Sequence, residues 1–302
     1  MRLPNFLIIG AQKCGTTALY AALRQHPEIY MSPNKEPFYF VFNDAPPPYR
    51  LPTQEYAQRL CYTWESYTAL FQAVTNQRAI GEASALYLSS YQPEITAATI
   101  YARLPNIRLI ALLRHPVDRA YSAFHYYRAK GYEACPTFAS ALLAEPMRMG
   151  ADWCPDLRYY ANGCYFANLK PYFDRFPRQQ IRVYLYEEWN QRPQAVLRDI
   201  FAFLGVDATI DIEPKRKNVT MQPRWSWLHR FLDQPNQTRQ MLETILRGRL
   251  RTRVYGKLRS YNRRLPPVLA PELRQTLTQR YSSDIEQLQT LIGRDLSHWM
   301  VA

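Results

Sequence analysis

Closely spaced cysteine pairs are missing from this sequence of 302 residues. Its five cysteines form an odd set without a CxxC pair. A disulfide framework needs an even set of cysteines, and structural zinc sites usually draw on such pairs. We therefore expect neither, and a reducing cytoplasm fits this cysteine usage best. The five are Cys14, Cys61, Cys135, Cys154 and Cys164.

Long apolar runs are also absent. No stretch approaches the roughly 20 apolar residues that a membrane-spanning helix requires. The first strand-like run, Phe6–Ile9, begins so close to Met1 that a charged segment, an apolar segment and a cleavage site do not fit before it. From the sequence we expect a soluble, cytoplasmic protein without a secretion signal or a membrane span.

Acidic residues are outnumbered, because 25 Asp and Glu stand against 38 Lys and Arg, for a formal charge of +13. Such an excess suits a nucleic acid, a membrane surface or a small anionic ligand. Between Arg247 and Arg264 there are eight basic residues and no acidic one. The plain interpretation of this run is a solvated helix face, and the alternative is a surface that faces an acidic substrate or cofactor.

The sequence does contain a repeated alternation of strand and helix signals. Apolar runs at 6–9, 107–113 and 181–186 indicate buried strands, and each precedes a stretch with apolar residues at helical spacing. Gly205 is placed to end the third helix. The alternation predicts an α/β protein, a P-loop-type three-layer fold with a central, mostly parallel sheet flanked by helices, in a single domain over 1–302. Ligands should bind at the carboxyl ends of the strands.

The first strand runs into a glycine-bearing loop and a helix, Gly10-Ala-Gln-Lys-Cys-Gly-Thr-Thr17. Backbone N–H groups in such a loop converge on an anion at the helix N-terminus, so we expect phosphate to bind here. The glycine spacing matches a Walker A loop, but Thr16 stands where that motif has lysine, and Lys13 lies inside the loop instead. A P-loop kinase or ATPase is therefore disfavoured. For this loop alone, a chance glycine turn is the alternative.

A second loop of this kind follows the strand at 107–113. It carries the pattern Arg-x-Pro-x-x-Arg-x-x-Ser from Arg114 to Ser122. The pattern offers a guanidinium and a hydroxyl to one anionic ligand. An arginine after a strand, taken alone, is usually structural, so the pairing of the two loops matters more than either loop.

Both loops resemble those of one enzyme family. The run FLIIGAQKCGTTALYAALRQHP resembles the 5′-phosphosulfate-binding start of the sulfotransferase superfamily, particularly the branch of heparan sulfate and bacterial sulfotransferases. The second loop resembles that family's 3′-phosphate motif. The resemblance implies 3′-phosphoadenosine 5′-phosphosulfate (PAPS) as the co-substrate that donates the sulfuryl group, 3′-phosphoadenosine 5′-phosphate (PAP) as the product, and no metal requirement.

The resemblance also implies roles for individual residues. It places Lys13 at the oxygen that bridges phosphate and sulfate, and it assigns the 3′-phosphate to Arg114 and Ser122. Arg119 is expected to support the helix, and the thiol of the first loop is expected to be a small loop residue and not a nucleophile. The loop residues expected at the 5′-phosphate are Cys14, Gly15, Thr16 and Thr17.

Sulfuryl transfer to a hydroxyl also needs a base for the acceptor proton. Glu36 follows Lys35 and precedes Phe38-Tyr-Phe40, in a frame that resembles the family's catalytic glutamate. Aromatic neighbours are expected to desolvate this carboxylate and raise its pKa. The alternative is a loop carboxylate that only pairs with Lys35 or Lys13.

Other candidates near this base are weaker. His125 is the one rival base among the histidines. Heparan-type enzymes carry a lysine after the glutamate of the next strand, whereas this chain has Ala83, so the residue that has this role in the family is missing here. Glu82 and Ser84, on either side of Ala83, are candidates to line the cleft.

The cover of the nucleotide is predicted from two further segments. The segment around Tyr165 resembles the family pattern Gly-x-Tyr-x-x-x-Leu-x-x-Tyr, which implies that Tyr165 lines the adenine region, and a core position is the alternative. Lys217, Asn218 and Arg224 resemble the loop that closes over the 3′-phosphate in bacterial members.

Together these patterns predict a sulfotransferase that acts on a hydroxyl or amine of a small-molecule acceptor. A carbohydrate O- or N-sulfotransferase is the first alternative. An alternative of another class is a basic module that binds anions or nucleic acid without turnover, although no nucleic-acid partner is expected. The acceptor pocket should come from the insertions at 43–75 and 133–158, which no motif constrains.

Overall fold

The structure is a computed structural model that describes residues 2–49, 57–149, 153–214, 222–225, 257–258 and 261–301. Its internal contacts define two units. The first comprises Met1–Phe124, Cys135–Asn218 and Leu269–Ala302, and the second comprises His125–Ala134 and Val219–Val268. The expectation of one domain over residues 1–302 stays a prediction.

The first unit is built on a sheet of five parallel strands. These are β1 (Phe6–Gly10), β2 (Ile29–Met31), β3 (Ala79–Ala83), β4 (Arg108–Leu113) and β5 (Ile181–Leu185). Their order is β2-β3-β1-β4-β5, and every neighbouring pair is parallel. The three apolar runs noted in the sequence form β1, β4 and β5. The predicted parallel α/β sheet flanked by helices is thus confirmed.

Both faces of this sheet are covered. Successive side chains of a strand point to opposite faces, and the side chains of β1 from Phe6 to Ile9 are all fully buried. Strands buried on both faces need continuous apolar sequences instead of alternating ones. This is why the runs at 6–9 and 108–113 could be recognised from sequence.

Helices alternate with the strands. They are α1 (Thr16–Leu23), α2 (Tyr39–Phe42), α3 (Trp64–Ala69), α4 (Pro93–Arg103), α5 (Pro116–Ala129), α6 (Phe138–Ala144), α7 (Tyr165–Phe173), α8 (Tyr186–Gln191), α9 (Pro193–Leu204) and α10 (Pro271–Ile292). Short 3₁₀ helices occur at Glu145–Arg148, Pro155–Leu157, Ala161–Gly163, Arg178–Gln180 and Ser297–Trp299. In the second unit, β6 (Gln222–Pro223) pairs antiparallel with β7 (Arg263–Arg264). In the part of the chain that the structure describes, none of these helices combines the length and apolarity needed to cross a bilayer.

Proline and glycine set several helix boundaries. Pro193 opens α9, where a missing N–H costs nothing, and α9 ends at Gly205 in the left-handed region with φ 72°. One apolar face of α9 is buried, as its sequence spacing predicted. That face comprises Val196, Leu197, Ile200, Phe201 and Leu204.

Candidate active site

The carboxyl ends of the five strands meet at one edge of the sheet, because all five run in the same direction. The segment that leaves each strand there carries a chemically distinctive residue. In the spatial order of the strands, these are Glu36 after β2, Ser84 after β3, Lys13 after β1, Arg114 after β4 and Tyr186 after β5. The sheet therefore brings together the two predicted anion loops and the predicted base.

The loop between β1 and α1 has the geometry of an anion cradle. Lys13 and Gly15 both lie in the left-handed region, with φ of 66° and 95°, and the helix begins at Thr16. The first N–H groups of a helix have no acceptor within it, so this turn offers N–H donors and the positive end of the helix dipole to an anion. The backbone of β4 holds the loop in place, since the Ala11 N–H donates to Leu112 O at 2.7 Å.

Glycine is required at position 15 on two grounds. Its φ of 95° is strained for any other residue, and a Cβ there would lie 3.2 Å from the Trp189 ring and 3.4 Å from the Tyr186 ring. These aromatics belong to α8, directly after β5. Neither aromatic residue was predicted from the sequence. Tyr186 could have been, because it directly follows a buried strand, as Arg114 does.

The Lys13 ammonium lies among other charges. Burial and the positive charge of Arg114 lower the Lys13 pKa to about 8, and the negative charge of Glu36 acts in the opposite direction. Lys35 lowers the pKa further. Lys13 is thus still mostly protonated at neutral pH, and the charges of Arg114 and Glu36 are close enough to change its pKa.

Arg114 is oriented from two sides. Its guanidinium lies over the Tyr186 ring, 4.8 Å from the ring centre, and its carbonyl accepts a 2.9 Å hydrogen bond from the Tyr165 hydroxyl. Stacking of this kind leaves the edge N–H groups of a guanidinium available for an anion. Ser122 lies farther along, on α5, and is partly exposed.

Tyr165, which the resemblance assigns to the adenine region, lies between the two anion loops. Its side chain is fully buried, and its hydroxyl lies 3.6 Å from Cys14 Sγ as well as bonding to the Arg114 carbonyl. It therefore braces the two anion loops against each other. Full burial is what the core alternative expects, and the role of Tyr165 at the adenine stays a prediction.

The other loop residues divide by exposure. Cys14 is fully buried, and burial raises the pKa of its thiol, which keeps the thiol protonated and unreactive. Thr16 is buried, whereas Thr17 is partly exposed. Arg119 is fully buried and donates to the Tyr159 carbonyl, as expected of a residue that supports the α5 segment.

Glu36 sits in a strained turn that leaves its carboxylate partly exposed. Its φ is 66°, its N–H donates to Ala83 O at 2.9 Å, and its side chain is 28% exposed. Lys35 Nζ lies 2.5 Å from Glu36 Oε1. A left-handed backbone costs a non-glycine residue roughly 1–2 kcal/mol, so the surrounding fold must hold this turn.

The aromatic residues beyond Glu36 pack inward. Phe38, Tyr39 and Phe40 are buried, and Tyr39 stacks on Tyr67 with ring centres 5.1 Å apart. This cluster fixes the chain that follows Glu36. In the geometry observed, Glu36 is paired with Lys35, which is the contact that the alternative interpretation expected.

Glu82 and Ser84, expected to line the cleft, are fully buried instead. Burial raises the pKa of Glu82 to about 7, against the opposing effects of the Tyr87 and Ser84 hydroxyls. The Ser84 hydroxyl donates to Glu82 Oε2 at 2.9 Å. The expectation was wrong because both faces of β3 are buried, and the polar residues in its sequence had suggested an exposed strand end.

The buried carboxyl of Glu82 should make stability depend on pH. Its pKa is about 7 in the fold against 4.5 in the unfolded chain, so below pH 4.5 it is protonated in both states and carries no penalty. As pH rises, Glu82 ionises first in the unfolded state, which favours unfolding. Its contribution lowers the free energy of unfolding by about 2 to 3 kcal/mol between pH 5 and pH 8. Urea unfolding of the wild type and Glu82→Gln at both pH values should therefore show the variant gaining relative stability at pH 8. Equal differences at the two pH values would contradict it.

Only one of the three residues predicted to cover the 3′-phosphate lies in the described part of the chain. Lys217 and Asn218 lie outside the described residues, as does most of the basic run from Arg247 to Arg264. Arg224 is exposed in the second unit, where its N–H donates to Asn262 O at 2.7 Å and its guanidinium lies 5.7 Å from the Trp225 ring centre. Their roles stay predictions.

Across the described ranges, no group of three or more His, Cys, Asp or Glu side chains is arranged to hold a metal ion. The side chains of Lys13, Lys35 and Arg114 and the N-terminus of α1 present positive charge to an anionic ligand. This set suits a ligand with several phosphate or sulfate groups.

Comparison with known proteins is consistent across sequence and structure. The model of the sulfotransferase domain family matches residues 3–223. The crystal structure of a sulfotransferase from Alicyclobacillus acidocaldarius is 31% identical, covers 99% of both chains and superposes with a TM-score of 0.76.

Curated relatives show the same similarity over shorter spans. Carbohydrate sulfotransferase 15 of Homo sapiens is 29% identical over 251 residues, which are 68% of this chain and 44% of that protein. Membrane-associated sulfotransferase kil1 of Dictyostelium discoideum is 39% identical over 124 residues, which are 41% of this chain and 23% of that protein. The chain thus spans less than half the length of these relatives.

Proposed function

The chain belongs to the sulfotransferase domain family, and from this premise we propose that it transfers a sulfuryl group from PAPS to a hydroxyl or amine of a small acceptor. The observation that carries the proposal is the edge of the sheet where Lys13, Arg114 and Glu36 follow three strands of the same parallel sheet and act on one another's charge. Two anion loops and a partly exposed carboxylate are the groups that this reaction needs.

The two loops would hold the two ends of the donor. The turn of Cys14 and Gly15, with the hydroxyls of Thr16 and Thr17, supports a 5′-phosphate site at the start of α1. Arg114, oriented by the Tyr186 ring, supports a 3′-phosphate site together with Ser122. The brace from Tyr165 keeps these loops at a fixed separation, which favours a ligand phosphorylated at both positions.

The chemistry needs one proton acceptor and one cation. The Glu36 carboxylate takes the proton of the acceptor hydroxyl while the acceptor oxygen forms its bond to sulfur. The bond from sulfur to the bridging oxygen breaks, and its electron pair stays on the departing phosphate oxygen. Lys13 neutralises the charge that develops there. Lys35 holds the carboxylate of Glu36 before the acceptor arrives.

The acceptor class has two candidates. A small molecule is our first proposal, and a carbohydrate is the second, because carbohydrate sulfotransferase 15 is among the relatives. The insertions at 43–75 and 133–158 would form the acceptor pocket. A cytoplasmic location stays a prediction, which rests on the odd number and wide spacing of the cysteines in the sequence.

Donor binding and turnover test this function directly. PAP binding is measured by calorimetry, and transfer is followed with ³⁵S-labelled PAPS over a panel of alcohols, amines and oligosaccharides. Arg114→Ala should weaken PAP binding by about 10- to 100-fold, since a charge-assisted contact to phosphate is lost. Arg78→Ala is the matched control, because this arginine precedes β3 at the opposite edge and is exposed.

The possible results separate the proposal from its rival. The proposal is supported if the wild type transfers label to any acceptor, and if PAP binding is weakened in Arg114→Ala but normal in Arg78→Ala. Absence of both PAP binding and transfer in the wild type would overturn it. Steeply salt-dependent binding of nucleic acid without turnover would instead favour the basic binding module.

A further inference from the structure

The turn that carries Glu36 contains two strained residues. Glu36 has φ 66° and Phe38 has φ 58°, and both belong to the left-handed region that L side chains rarely adopt. Such a turn persists only where its surroundings hold it. The contacts of this turn therefore decide where the Glu36 carboxylate lies.

Three of the contacts that fix the turn reach other segments of the chain. The Glu36 N–H donates to Ala83 O at 2.9 Å, and Pro37 O accepts from the Cys61 N–H at 2.9 Å. The Phe38 N–H donates to a side chain, Ser84 Oγ, at 3.3 Å. Two of the three contacts thus come from the end of β3, and one of these depends on a single hydroxyl.

That hydroxyl is itself oriented by a buried carboxyl. Ser84 Oγ donates its proton to Glu82 Oε2 at 2.9 Å, which turns its lone pairs toward Phe38. Both side chains are fully buried. Glu82, Ser84 and Phe38 thus form a continuous chain of hydrogen bonds from the core to the residue two positions after Glu36.

Glu82 is an expensive residue to keep in this position. Among the described residues, its Oε1 has no hydrogen-bond partner, although the Tyr87 hydroxyl is close enough to lower the Glu82 pKa. Lys35 and Glu36 also act on it, from the turn. A leucine would fill similar space without the cost of burying a carboxyl, so packing alone does not account for an acid here.

We propose that Glu82 and Ser84 are positioning residues. Through the hydrogen bond from the Phe38 N–H to Ser84, they hold the Glu36 carboxylate where it can accept the proton of the acceptor. The proposal rests on the function proposed above, in which Glu36 is the base. It predicts that these residues affect catalysis and not donor binding, because the anion loops belong to β1 and β4.

Kinetics of Ser84→Ala and Glu82→Leu test the proposal. Each change should lower kcat by about tenfold, since misplacing a catalytic group by a fraction of an ångström is costly, while the Kd for PAP stays within about twofold. Glu82→Gln keeps an oxygen that accepts from Ser84 and should retain most of the rate. Ser89→Ala is the matched control, because Ser89 is also buried but donates only to Ala85 O.

A double-mutant cycle with Glu36→Gln separates positioning from general support of the fold. If Ser84 acts through Glu36, then Ser84→Ala should change the residual kcat of the Glu36→Gln variant by less than about twofold. An equal loss in both backgrounds would overturn the proposal. So would unchanged kcat in both Ser84→Ala and Glu82→Leu while Glu36→Gln remains impaired, and that result would leave the proposed sulfuryl transfer intact.

Failure of the underlying function is recognised separately. A wild type that neither binds PAP nor transfers label contradicts the proposed function itself. A Glu36→Gln variant at full rate contradicts the base role and the positioning proposal together. Thermal unfolding of every variant accompanies the kinetics, and Glu82→Leu is expected to be as stable as the wild type or more so, so its lost rate cannot come from unfolding.

Discussion

Replacing Lys13 with alanine is expected to lower kcat for sulfuryl transfer by about 100- to 1000-fold. The ammonium is the side chain of the first anion loop, and it would neutralise the oxygen on which the leaving electron pair stays. Such an interaction is strongest in the transition state, so kcat should fall far more than donor binding. Steady-state transfer of ³⁵S label, with PAP binding measured on the same sample, checks this.

Two further variants sharpen the Lys13 experiment. Lys170→Ala, a change at an exposed lysine paired with Asp174, should leave the rate unaltered. Because the Lys13 pKa is about 8, kcat/KM of the wild type should fall as pH rises through 8 and the ammonium loses its proton. Lys13→Arg stays charged and should lack this alkaline limb. An unchanged kcat in Lys13→Ala would exclude the assigned role.

Replacing Glu36 with glutamine should lower kcat by about 100- to 10,000-fold with a hydroxyl acceptor. The amide keeps the size of the side chain and its link to Lys35 but cannot accept the acceptor's proton. PAP affinity should stay within about twofold, because the donor loops follow other strands. Single-turnover transfer from bound PAPS measures the chemical step directly.

The control for Glu36 is a carboxylate outside the proposed site. Glu286→Gln, at an exposed position on α10 outside both proposed acceptor insertions, should keep the wild-type rate. Full activity of Glu36→Gln would transfer the base role to His125 or to the substrate. His125 is a weak candidate on physical grounds, since burial lowers its pKa to about 4 and leaves it little affinity for a proton at neutral pH.

The elements that could be predicted from the sequence are those marked by a single local pattern, such as an apolar run or a glycine at a helix end. The apolar runs of β1, β4 and β5 are continuous because both faces of the sheet are covered, and Gly205 ends α9 in the conformation that its position suggested. The loop from Gly10 to Thr17 was recognisable because a strand, a glycine turn and a helix follow one another within a few residues.

The rest required knowledge of which side chains are buried. The motif around Tyr165 suggested contact with a base, and it gave no sign that the ring is fully enclosed and that its hydroxyl bridges two loops that are about a hundred residues apart in the sequence. Glu82 looked like a cleft residue because acids are usually exposed. Tyr186 was overlooked because its importance comes from its neighbours in space, Gly15 and Arg114.

The order of the strands has a consequence for how specificity can change. Residues for the donor follow β1, β4 and β5, whereas the carboxylate and its supporting residues follow β2 and β3. Under the proposed function, β1, β4 and β5 carry the grip on the nucleotide, whereas β2 and β3 carry the base and flank 43–75, one of the two insertions proposed for the acceptor pocket. The chain between β2 and β3 can therefore diverge to admit new acceptors while the grip on the nucleotide stays constant. A swap of this segment between relatives is the natural unit for redesigning what becomes sulfated.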